Sequence, residues 1–131
     1  MPDALAQFDA AKYISLESFR KTGAGVRTPV WFAADPGAPQ TFYVYSEADA
    51  GKVKRIRNNP HVRVAPCDMR GGVRGAWVDA QARIIGGAEA EKGQELLRQK
   101  YGWMKRTGDF FSRLMGHKQT LLEINLGSIA L

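Results

Sequence analysis

Polar and apolar positions alternate along much of the chain, the period that sends successive side chains to opposite faces of a β-strand. Over residues 12–20, Ile14, Leu16 and Ser18 share one face. After Thr22-Gly23-Ala24-Gly25, whose glycines suit a tight reversal, Val26, Thr28, Val30 and Phe32 alternate with Arg27, Pro29 and Trp31 over residues 26–33. These two stretches predict a hairpin. Pro29 has no N–H for a ladder, so the second strand is expected to be an edge or to be interrupted there, with nearby backbone groups left for another partner. The turn Asp35-Pro36-Gly37-Ala38-Pro39 leads to a third strand over 41–46, rich in aromatic and β-branched residues.

The period then changes. Asp49 is expected to cap a helix over 50–58, in which Val53 and Ile56 make a narrow apolar stripe and Lys52, Lys54, Arg55 and Arg57 crowd the remainder. Asn59-Pro60 ends it, and residues 61–67 alternate again as a fourth strand. A turn at 68–72 precedes a fifth strand over 74–85, with Ala76, Val78, Ala80, Ala82 and Ile84 on one face and Trp77, Asp79, Gln81 and Arg83 on the other. A strand of that length is expected to bend or bulge. Gly86-Gly87 breaks it. A helix over 89–101 follows, with Ala90, Leu96, Leu97 and Tyr101 on its apolar side, then a second helical stretch over 103–115 and a sixth strand over 120–126.

Six mainly antiparallel strands, one short helix between the third and fourth and two helices between the fifth and sixth do not alternate as a parallel α/β sheet does. The pattern predicts a small barrel, mainly β with flanking helices. No internal repeat or low-complexity segment marks a boundary, so residues 1–131 are expected to form one domain.

Composition narrows the class. With 131 residues, 44% apolar and 24% charged, the chain matches a soluble globular protein and is neither disordered nor collagen-like. No run approaches the roughly 18–20 apolar residues of a membrane-spanning helix, and residues 1–11 lack the pattern of a secretory signal, so no membrane contact and a cytoplasmic location are expected. The single cysteine, Cys67, cannot close an intramolecular disulfide or complete a C-x-x-C site. A formal charge of +6 favours anionic partners, among them nucleic acid, phosphate and acidic cofactors.

The cations concentrate at one place. Lys52, Lys54, Arg55 and Arg57 fall within six positions of one short helix that begins just after a strand. A helix start offers free N–H groups and partial positive charge, so a phosphate placed there gains hydrogen bonds and Coulomb attraction together, with Lys52 in the first turn best placed to meet it. The plain alternative is a solvated basic face. Arg27-Thr28-Pro29-Val30-Trp31-Phe32 sets a cation, a hydroxyl and an indole beside the proline that interrupts pairing, which suits a flat heterocycle; the alternative is an ordinary edge strand. Trp77, among polar neighbours, is a candidate wall of a ligand cleft or cover of a subunit interface. His61 and His117 have no partner at metal-ligand spacing, so no metal site is expected. Nor is a G-x-S-x-G, Walker A or Rossmann glycine pattern present. Cys67 reads as a structural thiol and residues 103–115 as a helix packed on the barrel.

In this order the pieces resemble the pyridoxamine 5′-phosphate oxidase-like split-barrel superfamily, most closely its small bacterial branch of F420-dependent oxidoreductases. The resemblance rests on YISLESFR at 13–20, TPVWF at 28–32, KVKRIRNNP at 52–60 followed by Val62, APCD at 65–68, and the stretch 75–85. Together these motifs span residues 12–85. The resemblance implies a six-stranded antiparallel split barrel of Greek-key type, dimeric, with FMN or F420 between two subunits. Arg27 then matches a basic position that reaches the cofactor phosphate, while Thr28, Pro29, Val30 and Trp31 match the strand bordering the ring. Tyr45 and Ser46 match the third strand's end at the cofactor, and Lys52 matches the phosphate-holding lysine, with Arg55 and Arg57 as helpers. The chain lacks the C-terminal substrate segment of true pyridoxamine phosphate oxidases, which argues against vitamin B6 oxidation.

The activity so implied is hydride transfer between F420 or FMN and a small conjugated or quinone-like substrate, with the cofactor doing the chemistry and no catalytic side chain required. F420 carries an acidic tail that the broad basic surface from Lys52 to Arg57 would welcome, so F420 is favoured over FMN. Two other readings stay open. One is a binding or storage protein for FMN, F420 or heme; the other is a nucleic-acid-binding small barrel, against which the cations gather on one helix instead of along a groove.

Overall fold

A computed structural model describes residues 5–47, 50–101 and 119–126. Six strands close an antiparallel barrel: β1 (Tyr13–Phe19), β2 (Gly25–Asp35), β3 (Ala38–Glu47), β4 (His61–Cys67), β5 (Val78–Ile85) and β6 (Gln119–Asn125), in the order β1-β2-β3-β6-β5-β4. Helix α1 (Gly51–Asn58) joins β3 to β4, and α2 (Gly87–Tyr101) follows β5. The expected mainly β barrel with flanking helices is therefore what forms. The helical stretch expected over 103–115 lies outside the described residues.

The alternating apolar positions fill the barrel. Ile14, Leu16, Phe32, Phe42, Val44, Val62, Val64, Leu122 and Ile124 are buried together, and Phe8, on a single turn of 3-10 helix, closes one end against the rings of Phe32 and Phe42 at 6.2 and 5.1 Å. Val53 and Ile56 anchor α1, as its narrow stripe predicts. α2 lies on the outside of β2, β3 and β6, burying Gly93, Leu97 and Tyr101, with Ala90 and Leu96 half-buried at the edge. Glycine at 93 permits this approach, since a Cβ there would fall on Leu121 and on the ring of Tyr43.

Several boundaries differ from expectation. The five-residue turn contracts to Pro36-Gly37, because Asp35 Oδ1 accepts the Gly37 N–H at 2.9 Å and pairing resumes at Ala38. The helix N-cap is Ala50, with no side-chain cap; Asp49 lies outside the described residues. The fifth strand starts at Val78, not at 74: Asp68 takes the backbone N–H groups of Arg70 and Gly72, Gly71 adopts φ +89°, and the resulting loop turns residues 68–77 out of the ladder. β6 is displaced one residue toward the N-terminus.

β1 departs from alternation in another way, being buried on both faces. Ser15 and Glu17, outward by periodicity, are covered: Glu17 sits between Arg27 (3.1 Å) and Arg63 (2.6 Å). Burial alone would raise the Glu17 pKa, but hydrogen bonds from the two guanidiniums outweigh it and hold the carboxyl below its usual range.

Candidate functional site

Two ladders on β2 end at different places, and the gap between them makes a cleft. β2 pairs with β1 from Gly25 to Trp31, whereas its pairing with β3 begins at Phe32↔Val44. Beyond that point β3 continues on β6 alone, through Tyr45↔Leu121 and Ser46↔Thr120, so the two strands part. Pro29 stands in the half of β2 laddered to β1 only, where its missing N–H costs no bond on the β3 side. The space opened is a cleft of about 470 Å³, lined by Tyr13, Pro29, Val30, Trp31, Tyr45, Ser46, Glu47, Ala50, Lys52 and Met69. That volume suits a small organic ligand.

The apolar wall is held rigidly. Trp31 stacks on Tyr101 with ring centroids 4.3 Å apart and planes 12° from parallel. The Tyr101 hydroxyl accepts the Phe32 N–H at 3.1 Å and lies 2.7 and 2.8 Å from the carbonyl oxygens of Lys12 and Phe32, either of which its proton can serve. It thereby continues the ladder of β2 where β1 begins, and burial raises its pKa well above the usual phenol value. The last residue of α2 thus fixes the cleft's indole.

At the other end is the first turn of α1. Lys52 is half-buried, and its pKa is lowered by desolvation and by Arg55, against a smaller opposing pull from Glu47. Arg55 folds back along the helix: its Nε donates to Ser18 Oγ at 2.7 Å, and its Nη1 lies 2.8 Å from where a Cβ on Gly51 would stand. Burial and the nearby Arg20 lower its pKa as well. Among the described residues no carboxylate forms an ion pair with Lys52 or Arg55. Two partly desolvated cations at a helix start are the electrostatic complement of an anion, which would restore the favourable interactions that burial removes. Thr28 Oγ1, on the same β2 strand but outside the cleft lining, is buried without a hydrogen-bond partner among the described residues.

Of the residues singled out in the sequence, Pro29, Val30, Trp31, Tyr45, Ser46 and Lys52 converge on this cleft. The other five do not line it. The Arg27 guanidinium is held by Glu17 and lies 4.6 Å from the centre of the Trp77 ring, with Arg63 at 5.0 Å from that ring. Arg27 and Trp77 therefore belong to a cation–aromatic cluster with Glu17 and Arg63. Thr28 is occluded, Arg55 reaches Ser18, and Arg57 is exposed on α1.

Sequence reasoning missed Tyr13, Glu47, Ala50 and Met69. Tyr13 had a signal, being an outward position on β1 that the hairpin register sets opposite Trp31. Met69 had none: it lies in the turn expected at 68–72, and nothing in the sequence says that this turn folds beside β2.

The pyridoxamine 5′-phosphate oxidase family profile matches residues 1–129. The chain belongs to this family. Solved structures with the same fold include a Listeria innocua protein classed as a candidate pyridoxamine 5′-phosphate oxidase, with TM-score 0.60 and 19% identity over 92% of this chain and 87% of that one. HutZ, the heme storage protein of Vibrio cholerae, aligns with TM-score 0.65 and 14% identity over 95% of this chain and 88% of that one. An F420-H2 dependent reductase, FDR-A, aligns with TM-score 0.59 and 15% identity over 87% of this chain and 94% of that one. At these identities the likeness is one of fold. A sequence comparison with curated proteins gave no match. Proteins of this fold thus include a named reductase and a named heme store. No helix among the described residues is long and apolar enough to cross a membrane.

Proposed function

We propose that this family member is an oxidoreductase that holds F420, or failing that FMN, in the cleft between β2, β3 and α1, as a homodimer in the cytoplasm. The observation that carries the reading is half-buried Lys52, unpaired with a carboxylate among the described residues, at one end of a cleft walled by Trp31, Tyr13 and Tyr45, with half-buried Arg55 outside the cleft on the same helix and bonded to Ser18. The residues fit a phosphate joined to a flat ring. Lys52 would hold the phosphate with the first N–H groups of α1, Arg55 and Arg57 would add long-range attraction, and Pro29, Val30 and Trp31 would border the ring. Arg27 and Thr28 would support that strand from outside the cleft, and Ser46 offers a hydroxyl at its rim.

Such a cofactor supplies hydride chemistry, exchanging two electrons and a proton with a small conjugated or quinone-like substrate. The protein's own work is binding and orientation: stacked Trp31 keeps the wall flat, and the cations fix the anionic end. The exposed cations Lys54 and Arg57 on α1 favour F420, whose tail is acidic. Trp77 and exposed Val73 offer apolar surface for a second subunit to cover.

The test is purification from a host that makes no F420, followed by an absorbance spectrum and titration with F420, FMN and heme. Saturable binding of F420 at one per subunit supports the proposal. Co-purified FMN transfers it to a flavin, saturation by heme alone replaces it with storage, and no binding by any of them removes it. Light scattering that reports a monomer with cofactor bound would remove the dimer.

A further inference from the structure

We propose that a second cleft, on the far side of Tyr13 and Met69, binds a flat, conjugated molecule bearing an acidic group. The second cleft has a volume of about 480 Å³, and Tyr13 and Met69 line both spaces. The two are therefore neighbouring compartments across a shared wall. Part of that wall is the side chain of Met69, 69% exposed, an unbranched thioether able to adapt to what lies on either side.

The floor is apolar and small, with Ala10, Ala11 and Pro66, which leaves room for a planar ligand. The rim is charged, carrying Lys12 and Arg74 against one carboxylate, Asp68. That carboxylate is already committed. Asp68 Oδ1 accepts the N–H groups of Arg70 (2.9 Å) and Gly72 (2.8 Å), and Oδ2 accepts from Arg74 Nη2 at 3.2 Å. These bonds, those to the backbone foremost, hold its pKa below the ordinary value, so it stays ionised and keeps Arg74 in place. Arg74 spends one nitrogen on Asp68, while its Nε and Nη1 make no hydrogen bond among the described residues and its side chain is 69% exposed. A guanidinium oriented by one carboxylate through Nη2 keeps N–H donors on Nε and Nη1 for a second, incoming acidic group.

The loop that carries Arg74 is pinned. Its N–H donates to Pro66 O at 2.8 Å. Two residues on, the Gln7 side chain pairs with both backbone groups of Ala76, donating to the carbonyl at 3.0 Å and accepting from the N–H at 2.9 Å. The N-terminal segment and the 68–77 loop therefore form one cleft of fixed shape.

The experiment is calorimetric titration of the cofactor-free protein with anthraquinone-2-sulfonate and with neutral 2-(hydroxymethyl)anthraquinone. The wild type should bind the sulfonate more tightly. Arg74→Gln should weaken the sulfonate about tenfold, as for loss of a charge-assisted hydrogen bond, while changing the neutral compound and F420 or FMN less than twofold. Ala10→Trp, at an exposed position that folding tolerates, should abolish binding of both anthraquinones. Lys52→Met should do the reverse of Arg74→Gln, weakening the cofactor and sparing the sulfonate. Equal sulfonate affinity in wild type and Arg74→Gln, or sulfonate binding lost with Lys52→Met, overturns the proposal. Arg74-dependent sulfonate binding in a protein that binds neither F420 nor FMN would sustain this anion site and remove the cofactor reading of the first cleft, so the two failures are separate.

Discussion

Replacing Lys52 by Met should weaken cofactor binding and leave the apoprotein at least as stable. Met keeps an unbranched apolar stem and removes the ammonium group. In the absence of ligand that group is desolvated, lies near Arg55, and has its pKa lowered from 10.5, so its charged form is disfavoured by folding. The sign follows directly. A lysine whose folded pKa lies below its unfolded value is a liability wherever it is protonated in the folded state, and the liability is relieved as pH rises through the folded pKa toward the unfolded one. At neutral pH the variant should therefore show an equal or higher Tm than wild type, with the difference shrinking in alkali. Ligand binding moves the opposite way, since a phosphate loses a charge-assisted hydrogen bond worth about 1.5–3 kcal/mol, roughly 10- to 150-fold in Kd. Affinity of the wild type should likewise begin to fall at a pH below 10.5, where an ordinary surface lysine is still charged. Fluorescence titration with F420 and FMN, paired with thermal melts of the same samples, measures both effects. A variant that melts several degrees lower yet binds both cofactors as wild type does would show Lys52 to be a structural residue and refute the reasoning.

Other expectations concern the frame of the cleft. Tyr101→Phe keeps the stack on Trp31 but strands the Phe32 N–H, at a cost of about 2–4 kcal/mol from a lost hydrogen bond and an unsatisfied buried donor; urea unfolding measures it, and a loss under about 0.5 kcal/mol would contradict it. Gly93→Ala should destabilise by about 1–3 kcal/mol, because the new methyl meets Leu121 and Tyr43; an unchanged melting curve would show that α2 can lift off. Glu17, with its folded pKa lowered beneath 4.5, contributes stability that is present above the unfolded value and lost as pH falls through the folded one. Glu17→Gln should flatten that acid limb in melts recorded down the pH scale, and a limb identical to wild type would assign it to other carboxylates.

Period-two alternation and the turn residues determined the six strands and the first hairpin, because a barrel strand must bury every second side chain whatever its neighbours are. The short stripe of Val53 and Ile56 likewise determined which face of α1 is buried, leaving Lys52 and its fellow cations for solvent or ligand. Pro29 even marked where the cleft opens, since a residue without an N–H is tolerated where one side of the strand has no ladder. What residues far apart do together was settled only in three dimensions. Glu17 looked like an outward position until Arg27 and Arg63 closed over it from two other strands, and Trp77 left the candidate cleft for those same guanidiniums. Tyr101 read as one apolar position on a helix, yet its hydroxyl completes the β2 ladder and its ring sets Trp31. Arg74 became a wall because the loop capped by Asp68 runs on where alternation alone predicted strand, and Met69 became one because the expected turn at 68–72 folds beside β2. Local periodicity reports which side of an element faces inward; which partner meets a polar side chain depends on strand order and loop path, and no stretch of sequence carries that by itself.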